Sequence, residues 1–320
     1  MRRGTVASKF QKGSWALILG GSSGFGLATA QKLAEHGLNL FVVHRDRRSA
    51  MRAIEPEFEK LRGLDIEFCS WNVDATAEEP RAKIVAEIAD RLADGSRIRV
   101  LLHSIAFGNL KLIAPEKKSA RTGAKALAKK LGIELDALVA AADELFAEGE
   151  DALSGIATPP AYSDRSYLDE EDFARTILSM GTSLLGWTQA LHQRGLFDAS
   201  ARIFGLTSEG NEVALKGYAA VSAAKVALES LGRSIAVEYG PYGIRCNIIQ
   251  AGITETAALR AIPGNEQLVA QARSRNPGGR LTDPRDVANV IYLLSLDEAS
   301  WINGDVIRVD GGEHVAGMMC

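Results

Sequence analysis

Cysteine is scarce. Cys69, Cys246 and Cys320 are the only 3 in 320 residues, odd in number and far apart. Such spacing excludes a disulfide framework and a zinc site, and implies a reducing compartment, expected to be the cytoplasm. Long apolar runs are also missing: WALIL and NVIYLLSL are too short to span a bilayer. A formal net charge of −3 gives no global pull towards nucleic acid or a membrane surface. No metal site is expected, and no internal repeat is visible. The start, MRRGTVASKFQKGS, is basic and free of acids, so a targeting signal must be weighed. Its apolar continuation flows straight into a glycine loop, with no small-residue cleavage site. Arg2, Arg3, Lys9 and Lys12 therefore read as a solvated arm.

What is present is a hydrophobic fraction of 46%, enough for one large domain. Seven short runs read as strands: 15–20, 39–44, 66–71, 98–105, 201–208, 244–250 and 305–310. They are nearly continuous in apolar residues, as strands buried on both faces should be. Helical patterns alternate with them, such as GLATAQKLAEHG, which Gly37 is placed to stop. The expected fold class is α/β: a single Rossmann-like, doubly wound parallel sheet spanning 1–320. Residues 111–167 break the rhythm. ARTGAKALAKKLG and ELDALVAAADELFAEG read as a helical hairpin inserted after strand four, within the same domain.

LGGSSGFG follows the first strand and opens the first helix. The spacing of Gly20, Gly24 and Gly26 suits a tight turn, a close backbone approach to pyrophosphate, and helix–strand packing. The helix N-terminus then faces the phosphates. Gly20, Ser22, Ser23, Gly24, Phe25 and Gly26 are thus candidate contacts of a dinucleotide. The second strand ends VVHRDRR. A free ribose 2′-OH calls for a carboxylate there, and a 2′-phosphate calls for arginine. His44 holds the carboxylate slot and Arg45 follows it, so NADPH is the expected cofactor. The competing possibility is a solvated charged turn.

These residues, with the Tyr218/Lys225 pair in GYAAVSAAK and RVDGG near the C-terminus, resemble the short-chain dehydrogenase/reductase superfamily over nearly the whole chain apart from the insert. Two features resemble its enoyl-acyl-carrier-protein reductases, and most closely the NADPH-dependent branch. LLHSIAFG stands where most of the superfamily carries an Asn-Asn-Ala-Gly turn, and six residues rather than three separate tyrosine from lysine. The resemblance implies a homotetramer, and cofactor contacts at Asn72, Val73, His103, Ser104, Ile105, Ala106, Lys225, Gly252, Ile253 and Thr256. It also implies Tyr218 and Lys225 as catalytic residues. Ser208 occupies the place of a second tyrosine in many enoyl reductases, and of the catalytic serine in the wider superfamily. Ala251-Gly252 replaces the usual Pro-Gly, and Met180 stands where a relay asparagine is usual.

An α-helix turns about 100° and rises about 1.5 Å per residue. Spacings of four and seven both keep tyrosine and lysine on nearly one face, displaced by about 4.5 Å. In ketone reduction the proton donor serves the oxygen bonded to the carbon that receives hydride. In enoyl reduction charge gathers on a thioester oxygen three bonds away. The displaced tyrosine suits the second reaction: Tyr218 would stabilise the enolate oxygen, and a protonated Lys225 would bind the nicotinamide ribose. The function implied is an NADPH-dependent trans-2-enoyl thioester reductase of fatty-acid synthesis, acting on acyl carrier protein or CoA substrates. Two alternatives stay open, a short-chain 3-oxoacyl or ketone reductase and a catalytically idle NADP-binding sensor. Phe107 and Ile253 read as pocket wall. The insert carries Lys117, Lys118, Lys125, Lys129 and Lys130 before Glu134, Asp136, Asp143 and Glu144. Either the basic helix meets an acidic carrier, or the two helices pair with each other.

Overall fold

The computed structural model describes residues 10–92, 94–117, 121–163 and 166–317. Arg2, Arg3, Lys9, Lys118 and Cys320, and residues 164–165 of the loop after the hairpin, lie outside them. The strands are β1 (Ser14–Leu19), β2 (Asn39–His44), β3 (Phe68–Asn72), β4 (Arg97–His103), β5 (Phe197–Ser208), β6 (Arg245–Ala251) and β7 (Val306–Val309). They pair in parallel in one sheet, in the order β3-β2-β1-β4-β5-β6-β7. Helices α1 (Gly24–Glu35), α2 (Met51–Arg62) and α3 (Glu78–Arg91) connect the first four strands. Beyond β4 come α4 (Thr122–Leu131), α5 (Leu135–Ala147), α6 (Glu170–Ile177) and α7 (Ser183–Gln193). The C-terminal third holds α8 (Ala219–Tyr239), α9 (Ala257–Arg260), α10 (Asn265–Arg275) and α11 (Pro284–Ser295). Among the described residues, no helix is long and apolar enough to cross a membrane.

The continuous apolar runs have the expected consequence. Leu17, Leu19, Phe41, Val43, Leu101 and Ile203 point to one face, against Ile84 and Ile88 of α3, Trp187 of α7 and Leu228 of α8. Their neighbours Ala16, Ile18, Val42, Val100, Leu102 and Phe204 point to the other. There they meet Leu33 of α1, Phe58 of α2, and Val287 and Ile291 of α11. The period of two sends alternate residues to opposite faces, and each fully buried Leu, Ile or Phe contributes about 1.5–3 kcal/mol.

Most strand ends shift by one residue from expectation, β4 ends two early at His103, and among the starts those of β3 and β5 move furthest. β3 starts at Phe68 rather than Ile66, because the Asn39 side chain takes the Glu67 amide at 2.8 Å. β5 starts early, at Phe197, which pairs with Ile98 across a register shift. The hairpin after β4 is present, and the Asp143 carboxyl of α5 is held below its usual range by Thr158 and, more weakly, by Arg121 at the start of α4. Among the described residues, Lys117, Lys125, Lys129 and Lys130 form no ion pair with the acids of 134–151. The hairpin's buried residues are apolar instead: Ala128 on α4, with Val139 and Ala142 on α5.

The strand order reverses between β1 and β4, so a crevice opens beyond their C-terminal ends, where ligands of such sheets bind. The glycine loop leaves β1 at that point. The turn after β4 lies beside it, with Ser104 N donating to Leu19 O at 2.8 Å.

Candidate active site

Gly217 turns the chain with φ +72°, a conformation that L side chains rarely adopt. Tyr218 then becomes the N-cap of α8, and its carbonyl accepts from Ser222 N at 2.8 Å. It therefore stands just ahead of the helix rather than on it, a correction to the helical placement expected from spacing. Its hydroxyl lies 3.5 Å from Ser208 Oγ, at the end of β5. Lys225, inside α8, is buried and donates to Leu206 O of the same strand at 2.8 Å. The closer tyrosine slot holds Val221, buried against Met180 and Ala224. Tyr218, Ser208 and Lys225 thus meet around one strand end.

Burial pushes the Tyr218 phenol above its ordinary range, and the Ser208 bond offsets part of that. Burial brings the Lys225 ammonium down to about 8, with Glu229 opposing the shift. Glu229 lies four residues beyond Lys225 and accepts from Thr207 Oγ1 and Asn211 Nδ2.

The glycine loop is as close-packed as its sequence requires. A Cβ on Gly26 would fall 2.0 Å from Gly20 O, and one on Gly20 would fall 2.5 Å from Ser104 O. Gly24 has φ +53° and faces Thr256, whose Cγ2 would lie 3.4 Å from a Cβ there. Ser23 is the N-cap of α1 but makes no side-chain capping bond, so the first-turn amides stay open to an anion. The loop with Ser22, Ser23 and Thr256 therefore fits a dinucleotide pyrophosphate. Phe25 fits only through its backbone, because its ring packs against the core on the α1 face.

At the adenosine end, His44 is buried and its Nδ1 lies 2.8 Å from Asp46 Oδ2. The Asp46 carboxylate is thereby turned towards His44. Asn72 holds the Asp46 backbone, and Val73 N donates to His44 O at 2.8 Å. Arg45 pairs with Asp74 at 2.9 Å and lies over the Phe107 ring at 5.4 Å. Phe107 thus stands beside Arg45, a placement the pocket-wall expectation did not include.

The ring of His103 faces away from the glycine loop. Its side chain is buried against α7, with Nε2 2.8 Å from Ser183 Oγ, and burial pushes it down to about 3. Ser104 and Ile105 instead face the loop through backbone atoms, 2.5 and 3.3 Å from a Cβ built on Gly20. Ala106 is exposed beyond them. Gly252 and Ile253 follow β6, where Ile253 N donates to Glu313 Oε2 at 3.2 Å. No group of three or more His, Cys, Asp or Glu among the described residues could hold a metal.

The insert reaches this region from two sides. Glu116 pairs with Lys216 at 2.7 Å, and Tyr162 packs on Gly217, beside Tyr218. Asp151 pairs with Arg273 of α10 at 2.8 Å, and Gln267 donates to Thr158 O. Three residues near the site went unremarked in the sequence. Gly210 is one: a Cβ there would lie 2.5 Å from Tyr218 Cε1. A glycine two residues past a strand end was its only signal. Arg275 and Glu313 carry no motif.

Residues 134–314 match the family model described as enoyl-(acyl carrier protein) reductase, and residues 14–122 match the one described as short chain dehydrogenase. A probable 2,4-dienoyl-CoA reductase of Bacillus subtilis is 27% identical over 299 residues, 93% of this chain and 95% of the relative. The enoyl-[acyl-carrier-protein] reductase [NADH] 1 of Rhizobium meliloti is 32% identical over 193 residues, 58% of this chain and 68% of the relative. The solved enoyl-[acyl-carrier-protein] reductase (NADH) of Aquifex aeolicus covers 96% of this chain and 99% of its own, with TM-score 0.69 and 22% identity. That last likeness is one of fold.

Proposed function

This chain belongs to the short-chain dehydrogenase/reductase superfamily, and from that premise we propose that it is an NADPH-dependent trans-2-enoyl thioester reductase. One observation carries the reading. The Tyr218 hydroxyl stands 3.5 Å from Ser208 Oγ, while Val221 fills the slot one turn later as a packed core residue. The HSIAF turn, the match to an enoyl-reductase model, and relatives named for enoyl and dienoyl thioesters support the same class.

When bound, the nicotinamide cofactor supplies the hydride that the β-carbon receives. Tyr218 donates a hydrogen bond to the thioester oxygen as negative charge gathers there; the enolate electron pair then takes a solvent-derived proton at the α-carbon, which restores the thioester carbonyl. Ser208 orients that hydroxyl. Lys225, protonated, holds the nicotinamide ribose and favours the negative charge through its own. The open amides of α1, with Gly24 and Thr256, hold the pyrophosphate. Burial around Tyr218 and Lys225 excludes water and strengthens each of these interactions.

For the cofactor we favour NADPH. Asp46 is occupied by His44, which leaves no free carboxylate at the ribose slot, and Arg45 is exposed beside it. The Rhizobium and Aquifex proteins are named for NADH, so the preference belongs to this chain's own residues. Arg45→Ala is expected to raise the KM for NADPH at least about tenfold more than that for NADH, the size of a lost charge-assisted phosphate contact. Equal effects would remove the preference. Fatty-acid synthesis, a cytoplasmic location and a homotetramer fit the same reading.

Ser208 favours a second reading, a 3-oxoacyl or ketone reductase, because a serine–tyrosine hydroxyl pair also suits a carbonyl oxygen. Consumption of NADPH with crotonyl and with acetoacetyl thioester separates the two. Turnover of crotonyl thioester is expected; turnover of the keto substrate alone would overturn the reading.

A further inference from the structure

Arg275 closes α10, the second helix after the Gly252–Thr256 segment. Its guanidinium grips both carboxylate oxygens of Glu209: Nη1 donates to Oε1 at 2.9 Å, and Nη2 donates to Oε2 in a shorter bond. Nη2 also donates to Glu313 Oε1 at 3.0 Å. The other oxygen of Glu313 accepts from Ile253 N at 3.2 Å. Glu209 directly follows Ser208, and Ile253 directly follows Gly252. Glu313 is only 2% exposed, and it occupies space that only a glycine leaves open. A Cβ on Gly252 would lie 2.8 Å from Glu313 Oε2 and 2.4 Å from Thr282 Oγ1.

We infer that Arg275 is a positioning residue for the proposed reaction. A single guanidinium fixes the Ser208 end of β5 through Glu209, and the Ile253 amide of the cofactor segment through Glu313. The inference rests on the functional reading above, but its two arms are separable. A planar fork with fixed donors serves the three acceptors at once; an ammonium would neutralise the carboxylates without fixing their planes. Without the cation, Glu313 would be a buried, unpaired carboxylate facing a second one, and both would move or take up protons. His314, 3.3 Å from Glu212 and 3.6 Å from Glu209, borders the cluster but does not replace the fork.

The test measures two quantities on the full chain: the Kd for NADPH by fluorescence titration, and kcat at saturating crotonyl thioester. Arg275→Met is expected to lower kcat at least about tenfold and to weaken Kd about three- to tenfold, the size of a modest loss of orientation. Glu209→Gln breaks the fork on the catalytic side, because one of its two acceptors becomes an NH₂. It should lower kcat while Kd stays within about twofold. Glu313→Gln cannot accept from both Arg275 and Ile253 N, so it should weaken Kd more than it lowers kcat. Arg275→Lys should recover part of both losses. Arg273→Met removes an ion pair from the same helix, 2.8 Å to Asp151 of the insert, that touches neither Glu209 nor Glu313. It should leave both quantities within about twofold, and it controls for a general loosening of α10.

Wild-type values in Arg275→Met would overturn the inference. So would equal shifts of kcat and Kd in the two Gln variants, tracking their melting temperatures, since that is the signature of a purely structural tie. If the wild-type protein reduced no thioester, the functional reading would fail by itself. The Kd pattern would still decide for or against the Arg275–Glu313–Ile253 arm.

Discussion

Gly210→Ala is the most demanding test of the catalytic corner. Its backbone is not left-handed, so alanine carries no conformational penalty there. The effect comes from one methyl group. That Cβ would lie 2.5 Å from Cε1 and 3.0 Å from Cδ1 of Tyr218, whereas carbon atoms rest at about 3.5–4.0 Å. The ring must therefore retreat by about 1 Å. The Tyr218 hydroxyl is already 3.5 Å from Ser208 Oγ, so such a retreat breaks the pair. Overpacking costs about 1–3 kcal/mol of stability, which leaves the protein folded. Misplacing the donor by this distance should lower kcat about 10²-fold. The assay is steady-state reduction of an enoyl thioester by wild type, Gly210→Ala, Tyr218→Phe and the double variant. If Gly210 acts through Tyr218, the double variant loses no more than Tyr218→Phe alone. A kcat within about threefold of wild type for Gly210→Ala, or losses that multiply in the double variant, would refute the reasoning.

Two further predictions concern pH. Lys225 titrates at about 8 in the folded protein against 10.5 for a free side chain. The unfolded chain thus binds the proton more tightly, and this group makes stability rise with pH across that window, by up to about 1.4 kcal/mol per unit. If catalysis needs the protonated form, kcat/KM falls as pH rises through about 8, and a flat profile there would contradict the role of Lys225. His103 titrates at about 3 against 6.5. Its contribution is complete above the higher value and is lost on acidification below it, by up to about 1.4 kcal/mol per unit. Urea melts of His103→Asn should show a weaker decline than wild type between about pH 6 and 4; parallel declines would place the acid sensitivity elsewhere.

What the sequence made legible was what repeats or what is forced. The inner strands could be read because both parities of each run are apolar, as burial on both faces demands, whereas the edge runs of β3 and β7 are only partly buried. The glycine loop could be read because Gly20 and Gly26 leave no room for a Cβ. The hairpin could be read from its helical periodicity, but not what holds it: its charges segregate along the chain, yet its buried residues are Ala128, Val139 and Ala142. Side-chain direction was least legible. His103 sits in a motif shared with cofactor-binding turns, yet the pleat sends its ring to Ser183 on the α7 side. Tyr218 has helical spacing from Lys225, but Gly217 makes it a cap. Arg275 and Glu313 are 38 residues apart, and only the folded chain brings them together between Glu209 and Ile253.

The central claim is that Tyr218 serves a thioester oxygen while the β-carbon is reduced. The direct measurement is to incubate the protein with reduced nicotinamide cofactor carrying deuterium at the transferable position, together with crotonyl and acetoacetyl thioesters, and to locate the label in the products by NMR. Deuterium at the β-carbon of a butyryl thioester, with formation slowed about 10²-fold or more in Tyr218→Phe, is the predicted result. An unlabelled crotonyl thioester beside deuterium at the hydroxyl-bearing carbon of a reduced 3-oxo substrate would contradict it.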